Sequence, residues 1–315
     1  MVYNYLVIKR KESIMKAFDL KTMQQCTISD KTVVALGTFD GCHLGHASVF
    51  RETFLMAKRL GVKSVVYTFD TLTKRDVKSI LTLEEKIKFI RKCQIDYIAI
   101  ESFDEIKQKS GKDFVSDVLI SELNAVGACC GFNYRFGNNA SCKTQDLKEL
   151  FEKTGGSVVI CSEVRHQNEV VSSTLVRSLI ENGEVEKILP FSPPYSVYAK
   201  VLQGKKLGRT IGIPTINQEL PQEKIAPKRG VYITECEIGE DVYPAITNVG
   251  TRPTVESNAN ENIETHIIGF DGILYSSYIR VNFYKRLRDE QKFSSLEELK
   301  AQIQRDVLEA KKYFM

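Results

Sequence analysis

Residues 32–46 read TVVALGTFDGCHLGH. The first five form an apolar, β-branched run, the pattern of a strand buried on both faces. Three glycines and two histidines follow, and apolar positions then recur at helical spacing over 44–60. A buried strand, a glycine-rich turn and a helix, in that order, predict the first unit of a parallel α/β sheet. Further strands are expected downstream at 64–69 (SVVYTF), 96–100 (DYIAI), 126–131 (VGACCG) and 157–161 (SVVIC). Between them, Thr82 and Glu85 make a capping box that opens a helix running to residue 92, and 114–123 reads as another helix. The alternation predicts a parallel sheet with helices on both faces.

The pattern changes at 190–194, PFSPP. Three prolines in five residues fit neither a helix interior nor a central strand, so a domain boundary is expected there. Beyond it, 195–202, 231–237, 243–249, 263–268 and 278–283 alternate as short strands separated by turns rich in Gly, Asn and Asp. Such spacing predicts an antiparallel barrel or sandwich. The chain closes on a helix opened by Ser295 and Glu298, with Leu296, Leu299, Ile303, Val307, Ala310 and Phe314 as a core-facing stripe.

With 315 residues, the chain is long enough for two domains. Hydrophobic content of 43% and charged content of 27% are those of a soluble globular protein. A net charge of +4 suits an anionic substrate or a solvated surface equally well. No basic tract or RNA-recognition signature is visible, so no nucleic-acid partner is expected. The eight cysteines form no CxxC pair and no zinc-ligand spacing, which reads as reduced thiols. No run approaches the roughly 20 apolar residues of a membrane span. Residues 1–16 are basic but lack the apolar core of a signal peptide, and Met15 is a candidate alternative start. A cytoplasmic protein with no membrane partner is expected; homo-oligomerisation is left open.

The turn at 37–46 also carries chemistry. Its glycines permit close backbone approach, and a helix N-terminus offers free N–H groups and a positive dipole end to a phosphate. His43 and His46, three apart, reach the same ligand from the first helical turn and suit charge developing on a leaving pyrophosphate. With Gly37, Phe39, Asp40 and Gly41, this segment resembles the HxGH signature of nucleotidylyltransferases. In its GxFDGxHxGH form it is similar to the FAD synthetase half of bacterial bifunctional riboflavin kinase/FMN adenylyltransferases. Residues 131–137, GFNYRFG, resemble that family's GxNFxFG loop, with Asn133 and Arg135 as expected ATP-site residues. Residues 171–177, VSSTLVR, resemble its ISSTxIR motif, which implies that Ser173, Thr174 and Arg177 hold ATP phosphates at another helix start. Two departures stand out. Residues 68–73, TFDTLT, lack the Pro-His-Pro-like run that helps form the flavin pocket, and 138–142, NNASC, lack the family's glycine.

A second cluster lies at 208–217, GRTIGIPTIN. Gly204, Gly208 and Gly212, interleaved with Lys205, Lys206 and Arg209, make a loop able to wrap a polyphosphate. Thr215 and Asn217, two apart, place their oxygens on one side of an extended segment, the donor type Mg²⁺ prefers. This run, which includes Pro214, resembles the GRxLGFPTxN motif of riboflavin kinases. Residues 228–232 (KRGVY), 248–254 (NVGTRPT), 263–267 (IETHI) and 286–293 (RLRDEQKF) resemble that family's later segments, in order. The resemblance implies Glu264 as the catalytic carboxylate, Thr215 and Asn217 as the Mg²⁺ ligands, and Asn248 and Arg288 at the ATP or flavin site. His266 falls on the same strand face as Glu264 and reads as packing or as support for it.

Taken together, the resemblances imply a Rossmann-like adenylyltransferase domain over 15–188 and a riboflavin kinase β-barrel with a terminal helix over 192–315. The implied activity is ATP-dependent phosphorylation of riboflavin to FMN, then adenylylation of FMN to FAD. Alternatives are a kinase whose first domain is degenerate and a non-catalytic flavin sensor.

Overall fold

The computed structural model of the protein describes residues 16–19, 28–70, 77–203, 208, 212–251 and 261–315. They fall into two compact units, the first ending at Ser173 and the second running from Thr174 to Met315.

Six strands build the sheet of the first unit: β1 (Lys16–Asp19), β2 (Thr32–Leu36), β3 (Lys63–Phe69), β4 (Tyr97–Glu101), β5 (Ala125–Gly131) and β6 (Ser157–Cys161). Their spatial order is β1-β4-β3-β2-β5-β6, and every pairing is parallel. The chain steps from β2 through β3 to β4, then crosses back to place β5 and β6 on the other side of β2. In a doubly wound sheet the ligand crevice lies outside the carboxyl ends of the strands where the order reverses, here between β2 and β5. Val33 and Ala35 of β2 join the core on one face, and Val34 and Leu36 join the core on the other. That burial on both faces is why β2 reads as an unbroken apolar run.

The expected strands appear to within a residue at each end. The helix α1 (Leu44–Leu60) stops on Gly61, whose φ of 68° is the left-handed conformation of a helix C-cap. The helix α2 (Leu83–Arg91) has both bonds of its capping box: Thr82 Oγ1 accepts from Glu85 N at 3.3 Å and Glu85 Oε2 accepts from Thr82 N at 2.9 Å. The helix expected at 114–123 is present but wound as a π-helix over Phe114–Glu122. Hydrophobic spacing does not separate that winding from an α-helix. Strand β1 and the helix α3 (Thr144–Glu152) were not anticipated. The helix α4 (Ser173–Asn182) starts at the junction of the units.

The second unit is antiparallel: β7 (Tyr195–Lys200), β8 (Ile216–Glu219), β9 (Gly230–Ile238), β10 (Asp241–Thr251), β11 (Glu261–Ile267) and β12 (Tyr278–Arg288), ordered β7-β12-β9-β10-β11-β8. The two edges meet. Leu202 N donates to the Asn217 carbonyl at 2.8 Å, and Gln218 Nε2 donates to the carbonyls of Ala199 and Ile279 at 2.7 and 2.8 Å. The sheet therefore curls into a nearly closed barrel, which decides between the barrel and the sandwich. Strand β8 is the one that sequence periodicity missed.

Inside the barrel, Thr234, Thr247 and Thr265 join hydroxyl to hydroxyl at 2.8 and 2.9 Å, all three fully buried. Residues one step along each strand point outward. Over that outer face lies the helix α5 (Leu296–Phe314), which packs Ile303, Val307, Ala310 and Phe314 against Ile233 and Ile246. Leu296, expected on the stripe, is exposed. Half of the expected capping box forms: Ser295 Oγ accepts from Glu298 N, but the Glu298 carboxylate is taken by Ser294 N and Oγ.

Candidate active sites

The first site begins where β2 ends, at the reversal of strand order. Phe39 and Cys42 have φ of 51° and 46°, and Gly41 has 90°. Three left-handed residues in four fold the turn tightly over the sheet edge. A Cβ on Gly37 would sit 2.9 Å from the Phe39 ring, so glycine lets that ring tuck under the turn. Asp40 is the hub. Its Oδ1 accepts from Ile80 N at 2.8 Å and Leu81 N at 3.1 Å, and its carbonyl accepts from Ser173 Oγ at 2.7 Å. The starts of α1, α2 and α4 are thus tied to one loop. Asp40 serves as a brace, a role the motif alone did not reveal.

His43 caps α1 through its backbone only, and its ring stacks on that of His46 with centroids 3.7 Å apart. The Phe39 ring meets His46 edge-on. Both Nδ1 atoms are buried without a hydrogen-bond partner. Burial lowers the His43 pKa to about 4, and burial with the facing His43 and Lys86 holds His46 well below the usual 6.5. The pair is therefore neutral, and each ring offers one N–H to a ligand. Asn133 and Arg135 lie exposed on the turn that follows β5, across the reversal from the histidines. Ser173, Thr174 and Arg177 occupy the first turns of α4.

Two buried ionisable groups that sequence reasoning passed over stand at the same carboxyl edge. Lys86 of α2 is 3% exposed, and its Nζ donates to the Phe69 carbonyl at 3.1 Å and Thr68 Oγ1 at 3.4 Å. Glu101, the last residue of β4, is also buried; desolvation raises its carboxyl to about 7 although Oε1 accepts from Ser102 N at 3.2 Å. A cavity of about 470 Å³ lies at the opposite edge of the sheet, between Asp30, Lys31, Lys58, Lys63 and Asp96. It contains none of the expected site residues and sits at the amino ends of β2 and β3, where this topology does not place its ligand.

The second site is a row across the barrel. Asn217 of β8 and Asn248 of β10 both lie directly opposite Glu264 of β11, Val231 of β9 opposes Asn248, and Arg288 of β12 opposes Val231. Directly opposed residues share a face, so five strands present these side chains in one line outside the barrel. Thr215 Oγ1 donates to Glu264 Oε1 at 2.7 Å. Asn217 Oδ1 accepts from Asn262 Nδ2 at 3.3 Å, and Asn262 Oδ1 is buried without a partner. His266 Nδ1–H donates to the Pro214 carbonyl at 2.8 Å, so it steadies the loop that carries Thr215, which agrees with a supporting role. The row borders a cavity of about 340 Å³ lined in part by Gly208, Thr215, Asn248, Glu264, Arg288 and Asp306. A Cβ on Gly208 would meet the Ile213 carbonyl oxygen at 2.2 Å, which leaves glycine as the residue that fits. Gly204, Lys205 and Arg209, expected here, lie outside the described residues, as do 252–254 and 71–73.

Arg288 is already engaged. Its Nη2 lies 2.7 Å from Asp306 Oδ2 on α5, its Nε bonds the same carboxylate, and Gln302 Nε2 donates to Asp306 Oδ1 at 2.9 Å. Asp306 is 4% exposed. Its signal in the sequence is an acid set within an apolar stripe, between Ile303 and Val307. Glu290 accepts from Asn248 Nδ2 at 3.0 Å; like Asp306 and Asn262, it was not singled out by the sequence reading.

Comparison with known proteins gives a consistent picture. A family model described as riboflavin kinase matches residues 191–314, and one described as FAD synthetase matches 25–175. The bifunctional riboflavin kinase/FMN adenylyltransferase of Bacillus subtilis is 32% identical over 90% of this chain and 93% of its own. The protein of the same description from Escherichia coli K12 is 30% identical over 90% and 92%. A solved structure described as a macrolide-efflux protein from Streptococcus pneumoniae superposes with a TM-score of 0.84 at 28% identity, covering 94% of this chain and 98% of that one. Among the described residues, no helix is long and apolar enough to cross a membrane.

Proposed function

The chain belongs to the bifunctional riboflavin kinase/FMN adenylyltransferase family, and from that membership we propose how its two units divide the reactions. The barrel unit transfers the γ-phosphoryl group of ATP to riboflavin and releases ADP. The α/β unit joins FMN to the AMP portion of a second ATP, giving FAD and pyrophosphate. Domain limits of 15–188 and 192–315 accompany this reading, supported by the family matches over 25–175 and 191–314.

In the barrel, Glu264 is the general base. The terminal ribityl hydroxyl attacks the γ-phosphorus while its proton passes to the carboxylate, and the bond to the bridging oxygen of ADP breaks. Thr215 holds Oε1, which fixes the carboxylate and leaves Oε2 for the substrate. Arg288, pinned by Asp306, presents a preset positive charge at the far end of the row. The donor set beside Glu264 fits Mg²⁺: Thr215 Oγ1, Asn217 Oδ1 and the unpartnered Asn262 Oδ1 are all oxygens, as that cation requires. Thr215 and Asn217 would hold it, and when bound it supplies neutralisation of the polyphosphate charge.

In the α/β unit, an oxygen of the FMN phosphate attacks the α-phosphorus of ATP. His43 and His46, neutral and with N–H groups to give, hydrogen-bond the phosphate oxygens as charge moves onto pyrophosphate. Asn133, Arg135, Ser173, Thr174 and Arg177, with Gly37, Phe39, Asp40 and Gly41, complete the ATP site. A cytoplasmic location, where both substrates of each reaction are at hand, goes with this reading.

The observation that carries the proposal is the Asn217–Glu264–Asn248 row with Thr215 bonded to its central carboxylate. Its test is incubation of the protein with riboflavin, ATP and Mg²⁺, followed by chromatography of the flavins. FMN followed by FAD is expected. FMN alone would restrict the activity to the barrel, and neither product would overturn both assignments.

A further inference from the structure

Lys86 is used by neither reaction as described, yet it is among the costliest side chains to bury. A lysine at 3% exposure without a carboxylate partner forfeits most of its hydration, and ion pairing is the usual compensation. Its hydrogen-bond partners are a carbonyl at 3.1 Å and a hydroxyl at 3.4 Å, both neutral and neither short. Among the described residues no ion pair reaches it; burial lowers its pKa, and the nearby Asp40 and Asp70 oppose that shift without bonding to it. The Asp40 carboxylate is turned the other way, onto the backbone of Ile80 and Leu81. Three N–H bonds are available to an ammonium, and the two acceptors leave one over.

Its place in the fold is specific. Thr68 Oγ1, which receives one of its bonds, itself donates to the Thr38 carbonyl at 3.0 Å, inside the GTFDGCHLGH turn. Lys86 is thus fixed beneath the turn that carries His43 and His46, at the carboxyl edge of β3 beside the reversal of strand order. The histidines above it have buried Nδ1 atoms without partners. A cation with no ion-pair partner among the described residues, two orphaned ring nitrogens and a turn of left-handed residues gather at one spot.

We propose that the Lys86 ammonium is the fixed counter-charge of the adenylyltransferase site, held under the His43–His46 turn for the phosphates of ATP and the departing pyrophosphate. The inference rests on the adenylyltransferase reading and deepens it. Neutral imidazoles donate hydrogen bonds but no charge, whereas a triphosphate needs charge, and Lys86 brings it from below. It is a positioning residue, acting through the turn and the His46 ring. Carrying a charge without a bonded carboxylate into the fold lowers stability in exchange for function.

That exchange is what the experiment reads. In the full chain, Lys86→Met and Lys86→Arg are compared with the parent for FAD formation from FMN and ATP, so that the kinase step is bypassed. Melting temperature and FMN formation from riboflavin are followed in parallel. Lys86→Met should raise the KM for ATP or lower kcat so that kcat/KM falls roughly 10- to 100-fold, the size expected for removing a unit charge several ångströms from the phosphates at an effective dielectric of about 20. Its melting temperature should hold or rise, FMN formation should persist, and Lys86→Arg should recover part of the loss. Unchanged kcat/KM in Lys86→Met overturns the proposal. So does a loss that comes with a lower melting temperature, because a structural lysine gives that result. If the parent makes no FAD, the adenylyltransferase reading fails separately, and calorimetric binding of pyrophosphate then decides on Lys86. Binding weakened about tenfold by Lys86→Met supports the counter-charge, and equal or absent binding refutes it.

Discussion

Acidification should loosen the α/β unit through His43, and the size of the effect follows from its burial. The ring has a pKa of about 4 in the fold against 6.5 in the unfolded chain. Above pH 6.5 it is neutral in both states and contributes no pH dependence. Between 6.5 and 4 the unfolded chain binds a proton that the fold refuses, so stability falls as pH falls. At about 1.4 kcal/mol for each pH unit, the gap amounts to about 3 kcal/mol, complete near pH 4. His46, stacked on it, acts in the same direction. Glu101 in the same unit works against them. Its carboxyl titrates at about 7 in the fold against the usual 4.5. Between 7 and 4.5 the fold binds the extra proton, and stability rises as pH falls by at most about 3 kcal/mol, reduced by solvent screening of a carboxylate at the strand's end. The parent profile is therefore a partial cancellation, and single variants separate its parts. Urea unfolding of the full chain at several pH values between 7 and 4.5 is the assay, with calorimetry to assign the transition. His43→Gln should gain on the parent as pH falls, and Glu101→Gln should lose. A difference between parent and His43→Gln that stays constant within about 0.5 kcal/mol across that range would refute a neutral, buried His43.

Three other outcomes are expected. Glu264→Gln should lower FMN formation by about 10²- to 10⁴-fold while FAD formation from supplied FMN persists; kinase activity near the parent's would remove Glu264 from the mechanism. Replacing His43 and His46 together by Ala should reduce FAD formation by at least about 10²-fold and spare the kinase, read by chromatography of flavins from each substrate. Asp306→Ala leaves the Arg288 guanidinium without its buried partner, so the barrel unit should lose about 3–5 kcal/mol in denaturant unfolding, and a change below about 1 kcal/mol would show the pair to be dispensable.

Much of this architecture is legible in the sequence because its strongest signals are local. The β2 run, the Thr82–Glu85 box and the apolar spacing of α5 each specify an element within a few residues, and all three appear. Strand β8 was hidden for a physical reason. Residues 216–219 read INQE, and its two central polar residues are buried because they close the barrel: Gln218 bonds two carbonyls, and Asn217 sits in the site row. Polarity there serves edge closure and chemistry, which defeats a hydrophobic periodicity. The π-wound segment at Phe114–Glu122 was hidden because its apolar spacing suits either helix.

Which residues act together is a different matter, because register decides it. Motifs named Thr215, Asn217, Asn248, Glu264 and Arg288 one by one, but nothing local tells that Asn217 and Asn248 flank Glu264 on neighbouring strands. Slipping β11 by one residue would send Glu264 into the barrel and Thr265 to the outer row. The inner ladder of Thr234, Thr247 and Thr265 opposes that slip, since each hydroxyl is satisfied only by the next. A carboxylate among those hydroxyls would be a charge buried without a cation beside it. The barrel's interior chemistry therefore sets the register that assembles the row outside it. The α/β unit shows the same logic through Asp40, whose single side chain fixes the start of α2 while its carbonyl takes the first hydroxyl of α4. In both units a group that assembles the site does so through bonds to its own chain, and a motif read for its chemistry passes over that role.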